Sequence, residues 1–392
     1  MATLNTPAPA AVVQSTKLLS PLNVRFRQHA SITVPPGTSP ITQLLTGFII
    51  RKFVFELNFT LQTPSTGVAG VAFPTANFLG TGAFEILSNL QILINGTNPI
   101  RNLSGRQLYM LNYFLSKNPP SQEWDYVVST ANVGAYATCK AQIDMPFAWP
   151  SAMKPIDTSL DARVIPSNGL TMLTSIGQAS AVNSFAGLTV SNVGVNVYAE
   201  EFYGAPNGFR PVLAVVIPQF SIPNLSGGPS VKAPLQLQAA AANMSYAAFL
   251  LNSQSTANPP VDQDSLIRFR LYSGTETPID VDPRLWTKQL QADRGNYPLD
   301  WLYPSNSSGG LSPNNNPISQ SILGMAASNT NTNLVNPRAW YLIDLCQDGY
   351  WTQALNTAGV GGLFINVDTS AASNVTVLPI QLWSQLGGKR GG

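Results

Sequence analysis

Four aspartates are the residues whose type and spacing could do chemistry. Asp262/Asp264 and Asp280/Asp282 are spaced i, i+2, so in a strand each pair would share a face, as a calcium site or a glycosidase requires. Asp282, however, stands before Pro283 at the head of a helical pattern. That makes it an N-cap whose carboxylate accepts from the first-turn amides, with Pro283 at the position that needs no amide hydrogen. Asp262 follows Pro259-Pro260 in a loop-like setting. The single histidine, His29, excludes Ser-His-Asp, Cys-His and His-rich metal sites elsewhere in the chain. It is expected as a solvated or lipid-facing group. Cys139 and Cys346 are too few for a disulfide framework and are expected as small buried apolar residues. Gly80-Thr81-Gly82 is followed by Glu85 where a phosphate-cradling loop needs a third glycine. The expectation is a chain with no catalytic residue, no metal and no cofactor.

The elements that would position these residues are mostly strands. Phe53, Phe55, Leu57, Phe59 and Leu61 alternate with polar residues, the period of a half-buried strand. Phe84 to Ile94 reads as a second strand, closed by an Asn95-Gly96 hairpin turn. Ser104 heads a helix with Leu108, Leu111 and Leu115 on one face, ending before Asn118-Pro119-Pro120. Strands are expected near Tyr136 to Met145, Leu170 to Ile176 and Val193 to Ala199, and, after a Pro206 to Pro211 linker, at Val212 to Ile217, Ile267 to Leu271, Leu363 to Val367 and Val375 to Leu386. The second helix starts at Asp282-Pro283, with Trp286 and Leu290 on one face and Trp301 proposed to clamp Trp286 from the aromatic run behind it. Asn336-Pro337-Arg338-Ala339-Trp340 repeats that helix's opening pattern, so Trp340 to Leu345 reads as a helix start or as a buried strand.

Only 10% of the 392 residues are charged, against about 25% in typical soluble proteins. With 30 Gly and 31 Pro, this suits an all-β chain of short strands and turns, long enough for two domains. No apolar run reaches the ~18 residues of a membrane-spanning helix, and no signal peptide is evident, so folding in a cytoplasm is expected. Residues 1–55 hold Lys17, Arg25, Arg27, Arg51 and Lys52 and no acid, and residues 369–392 hold only Lys389 and Arg390, leaving 14 basic against 19 acidic residues between, a net −5. Basic ends on an acidic body suit contact with a polyanion such as phospholipid or nucleic acid. A dense basic stripe for specific nucleic-acid readout is lacking.

The order of features resembles the double jelly-roll major capsid proteins of tailless, membrane-containing icosahedral phages, the tectivirus type. The residues that carry it are Gly47 to Lys52 ahead of the first strand, Ser104-Gly105 leading to Leu108, the Asn207-Gly208-Phe209 linker, and above all Asp282-Pro283-Arg284-x-Trp286 continuing to Tyr297-Pro298 and Trp301-Leu302-Tyr303. The resemblance implies an all-β fold of two tandem eight-stranded jelly-roll barrels with short interior helices and long loops. The divisions are an arm at 1–40, jelly roll 1 at 41–205, a linker at 206–211, jelly roll 2 at 212–386 and a basic tail at 387–392. It further implies a homotrimer forming a pseudo-hexameric block, tiled into a virion shell with vertex or minor capsid proteins as partners. Membrane lipid would lie on an inner face contacted by Lys17, Arg25, Arg27, Lys389 and Arg390. Asp282, Pro283, Trp286 and Trp301 are then a structural helix clamp. The competing reading is a carbohydrate-binding or carbohydrate-cleaving β-sandwich, such as a phage receptor-binding protein, using Trp124, Tyr126 and Trp149 with the aspartate pairs.

Overall fold

The computed structural model describes residues 24–79, 81–115, 120–149, 154–203, 205, 209, 211–216, 220–229, 233–235, 244–256, 262–273, 275–293, 339–346, 354–356 and 362–384. The first half contains β1 (Val24–Val34), β2 (Ile41–Gln43), β3 (Ile49–Gln62), β4 (Leu87–Ile94), β5 (Asn98–Leu103), α1 (Gly105–Leu115), β6 (Ser121–Val127), β7 (Tyr136–Pro146), β8 (Leu160–Asp161), β9 (Leu170–Ile176), α2 (Ala179–Val182), β10 (Thr189–Val190) and β11 (Val193–Phe202). The second contains β12 (Val212–Val216), β13 (Phe220–Leu225), β14 (Gly228–Pro229), β15 (Ala233–Leu235), β16 (Met244–Ser255), β17 (Leu266–Ser273), β18 (Glu276–Val281), α3 (Pro283–Asp293), β19 (Trp340–Asp344), β20 (Leu355–Asn356), β21 (Leu363–Thr369) and β22 (Ser373–Ser384).

The two halves share one topology. In the first, a sheet ordered β1-β11-β3-β7-β6 accompanies one ordered β2-β9-β4-β5; in the second, β12-β22-β16-β19 accompanies β14-β21-β17-β18. First and last strands are therefore neighbours in each barrel, and each helix follows the equivalent strand, α1 after β5 and α3 after β18. Short pieces extend the ladders: β8 and β10 on β3, β13 on β22, β15 on β21 and β20 on β16. Local chemistry explains the turns and helix starts. Asn95 and Gly96 take φ of 54° and 71°, the two left-handed residues of a tight hairpin turn between β4 and β5. Ser104 and Gln107 form a reciprocal cap, the Gln107 amide donating to Ser104 Oγ and the Ser104 amide to Gln107 Oε1.

One apolar core fills the first barrel and runs on into the second. It takes Phe53, Phe55 and Leu57 from β3 together with Leu250, Trp340, Leu342, Leu378 and Ile380 from the β16, β19 and β22 sheet. The opposite face of that sheet lines a separate core with Phe249, Leu251, Tyr341, Ile343 and Val377. A sheet buried on both sides loses the polar alternation of a half-exposed one. This is why Trp340 to Leu345 offered two readings, and the structure resolves them in favour of a strand.

Three expectations are corrected. Phe84 to Ile86, read as the start of the second strand, belong to a short 3-10 helix at Gly82–Ile86, and the strand begins at Leu87. The stretch 24–34, assigned to an N-terminal arm, is a strand paired with β11 from Val24↔Phe202 to Val34↔Val193. Its inward residues are spaced around a bulge at Gln28/Ala30, and the bulge hides the period. Alternation of Ile267, Phe269 and Leu271 with Arg268, Arg270 and Tyr272 predicts one buried face for the three apolar residues, but in β17 a register shift between Leu266 and Arg268 sends Leu266 inward and Ile267 out to solvent. The linker is tied down where it is described: Ala205 and Phe209 pack with Ile49, Ile156 and Phe202, and Arg163 donates to the Phe209 carbonyl at 2.6 Å. Residues 1–23, 294–338 and 385–392, which hold the arm proper, Trp301 and the basic tail, lie outside the described residues. Among the described residues no helix is long and apolar enough to cross a membrane.

Candidate functional site

Among the described residues, a dense cluster of charge lies where β1, β3 and β11 reach the end of the first barrel that carries Val24 and Phe202. β1 presents Arg25 and Arg27 two residues apart, and a register shift on β11 between Glu200 and Glu201 separates the partners of these two acids. Glu201 is fully buried; it accepts from Arg25 Nε at 2.8 Å and Arg27 Nη2 at 3.0 Å, and its Oε1 lies 2.6 Å from His29 Nε2. The guanidinium carbons of Arg25 and Arg27 lie 4.0 and 4.3 Å from the Phe48 ring centre, a cation–π contact for each. Glu200 instead accepts from Arg51 at 2.6 Å, and Lys52 donates to Asp144 at 2.5 Å.

Burial would push the Glu201 carboxyl up, but hydrogen bonds from His29 and Arg25 and the charges of His29 and Arg27 outweigh it and hold it below the ordinary range. His29 is therefore corrected from a solvated group to a buried one, its ring edge-on to Phe53 with centroids 5.4 Å apart. Arg25 and Arg27, expected as inner-face contacts, remain about one-third exposed, at 39% and 32% of the side chain, with Glu201 as their partner. Lys17, Lys389 and Arg390 lie outside the described residues. Glu201 was missed in the sequence; the signal was a pair of acids closing an alternating strand, where one must face inward.

The aspartate pairs do not converge on a common site. Asp262 is buried between the barrels, 2.7 Å from Trp340 Nε1, 3.2 Å from both the Asn252 and Gln254 amide nitrogens and 3.9 Å from Arg106 Nη1 of α1. Arg106 also donates to Glu85 at 2.8 Å. Burial raises the Asp262 carboxyl against the opposing effects of Arg106, Trp340, Gln254 and Asn252. Asp264 accepts from the Tyr341 hydroxyl at 2.6 Å. Asp280 takes both arms of Arg268 at 2.5 Å on an exposed sheet face. Among the described residues no group of three or more His, Cys, Asp or Glu side chains could hold a metal ion.

Asp282 is the N-cap the sequence called for, accepting from the amides of Arg284 at 2.9 Å and Leu285 at 3.4 Å, with Pro283 opening α3. Thr287 fastens the helix to β19, its Oγ1 donating to the Pro283 carbonyl and accepting from the Leu342 amide at 3.2 Å. Trp286 packs, half-buried, against the second core; its proposed partner Trp301 lies outside the described residues. Asp282→Ala is expected to cost about 1 kcal/mol of stability, with Asp282→Asn near neutral, measured as a shift in denaturation midpoint. Of the aromatics proposed for carbohydrate binding, Trp149 is buried and Trp124 is packed between Phe59 and Phe78, leaving Tyr126 exposed.

No protein-family model matches the chain, and no curated protein matches it. Solved structures do. The STIV MCP is 14% identical with a TM-score of 0.58, the match covering 93% of this chain and 99% of that one. The atomic structure of Sulfolobus Turreted Icosahedral Virus gives a chain 13% identical at 0.59, covering 93% and 91%. The major capsid protein P2 from Bacteriophage PM2 is 11% identical at 0.52, covering 94% and 99%. The likeness spans both barrels, and the fold is the double jelly roll of these viral major capsid proteins.

Proposed function

We propose that this double jelly-roll chain is itself a major capsid protein, a shell subunit whose work is shape and self-association and not catalysis. The observation that carries the reading is the continuous core joining two barrels of one topology. Joined in that way, the barrels make a rigid block with two similar lobes, and three such blocks around an axis give six lobes and a pseudo-hexagonal tile. Closed cyclic symmetry of this kind is the common route to a stable homo-oligomer. The candidate carboxylates support the non-catalytic part, since each is engaged by a structural partner.

The register supports a polarity for the tile. Val24 pairs with Phe202 and Val212 with Ser384, so the first and last strands of each barrel bring their outer ends together. In the sequence, the residues before Val24 include Lys17 and those after Ser384 include Lys389 and Arg390, and Arg25 and Arg27 stand beside Val24. We assign that basic end to the inner face of an icosahedral virion shell, over an internal membrane whose anionic lipid it would meet. The opposite loops then face outward and toward neighbours. Vertex or minor capsid proteins complete the shell, and synthesis takes place in a host cytoplasm.

Purified protein is expected to sediment at three times 41.9 kDa and to show hexagonal outlines in negative-stain images. A strict monomer at high concentration, unable to assemble even with its membrane and vertex partners, would sink the proposal.

A further inference from the structure

The far end of the first barrel differs from the charged end in a way that the shell reading does not require. The loops that meet there follow β3, precede β7 and precede β11, as the pairs Gln62↔Tyr136, Val127↔Tyr136 and Thr189↔Gln62 place them side by side. Residues 57–84, 126–139 and 164–199 contain no Asp, Glu, Lys, Arg or His. Val68, Val71, Val128 and Val133 in these loops, and Tyr126 and Val127 at the end of β6 that leads into them, have 39% to 57% of their surface exposed. Single exposed apolar residues are ordinary, but a contiguous group of them uninterrupted by charge marks an interaction surface.

Contiguity is built in. Ser129 donates from Oγ to the Val68 carbonyl at 2.7 Å and accepts from the Val71 amide at 2.9 Å, while its own amide donates to the Val71 carbonyl at 2.9 Å. The Gly70 amide donates to the Ser129 carbonyl at 2.8 Å. One serine thus locks the two apolar loops edge to edge, so the surface is formed before any partner arrives, which lowers the entropic cost of docking. β6, which leads into it, is the outermost strand of its sheet among the described strands. Its middle carries Glu123 and Asp125, the charges that keep an edge from pairing, and its last two residues, Tyr126 and Val127, are uncharged.

We propose that this charge-free end is a self-docking surface and that its occupant is the same end of a second copy of this chain. The choice of occupant follows from charge. Around a rotation axis, residues near the axis face their own copies, so any net charge there would meet its like and repel. Neutral apolar loops avoid that penalty. A partner recruited by electrostatic steering, or an anionic membrane, would need charges that this end lacks. The inference rests on the self-associating role proposed above and names the surface through which copies meet.

The test uses the full chain with Val68→Asp and Val128→Asp made separately, each on a different loop, and sedimentation velocity over a concentration series. Each variant is expected to weaken association at least tenfold with an unchanged melting profile of the dissociated subunit, because both side chains are exposed. Variants that associate like the wild-type trimer would overturn the inference while leaving the capsid reading intact; a monomeric wild type would instead remove the reading on which it rests. Loss of binding to neutral phosphatidylcholine vesicles in the variants, with trimers preserved, would assign the surface to lipid and also overturn it.

Discussion

Trp340→Ala is expected to be the most damaging single substitution in the described part of the chain, costing roughly 5 kcal/mol. Trp340 is buried in the core shared by the two barrels, where truncating a tryptophan to alanine costs about 3–5 kcal/mol in lost packing and cavity. Its Nε1 also donates to Asp262 at 2.7 Å. Removing that donor leaves a buried carboxylate short of a partner, for about 1–3 kcal/mol more. Trp340→Phe separates the two effects, keeping most of the volume and losing only the hydrogen bond. Chemical denaturation followed by near-ultraviolet circular dichroism reads both. A Phe variant as unstable as the Ala variant would show that the indole N–H, and not the packing, dominates.

Glu201→Ala is expected to cost about 3–5 kcal/mol, the usual consequence of removing one partner from a buried ionic cluster. The loss leaves Arg25, Arg27 and His29 around a site with no acceptor. Glu201→Gln keeps one oxygen to accept and is expected to lose less. The same residue gives a pH signature. Its folded carboxyl is held below the unfolded value of about 4.3, so its contribution to stability is complete above that value and is lost as the pH falls through the folded one. Melting temperature measured from pH 6 down to pH 2 should fall more steeply for the wild type than for Glu201→Gln. Parallel curves would show that the cluster does not contribute to acid sensitivity.

The fold was largely legible in the sequence where one face of a strand is wet. The alternation in β3, β7, β9 and β11 follows directly from a buried inner and a solvated outer face, and the cap at Asp282 and the Asn95-Gly96 turn are local chemistry that needs no tertiary context. Legibility failed where that local rule is overridden. β19 is buried on both faces, so Trp340 to Ile343 show no period to read. The bulges in β1 and β17 shift the register by one residue, which hid the first strand and misassigned Ile267. Ion pairs across β1 and β11 join residues that are remote in sequence, and no single-chain pattern announces which arginine meets which glutamate. The charge-free loop end escaped notice for the same reason, because its separate stretches become one surface only after β3, β7 and β11 are paired.

The pairing of β1 with β11 also has a consequence in time. The Arg25 and Glu201 side chains that close the first barrel are 176 residues apart, and a ribosome adds about 5–20 residues per second. β1, the first described strand, therefore waits roughly 10 to 35 s for its neighbour to be made. During that interval β1 is an open edge carrying an apolar face, able to pair with the wrong chain. The second barrel repeats the situation with β12 and β22, and its side of the shared core is complete only once β22, the last of these strands, has been made. Yield of soluble protein should thus depend on translation speed and on chaperones that shield a nascent strand, more than on the stability of the finished block.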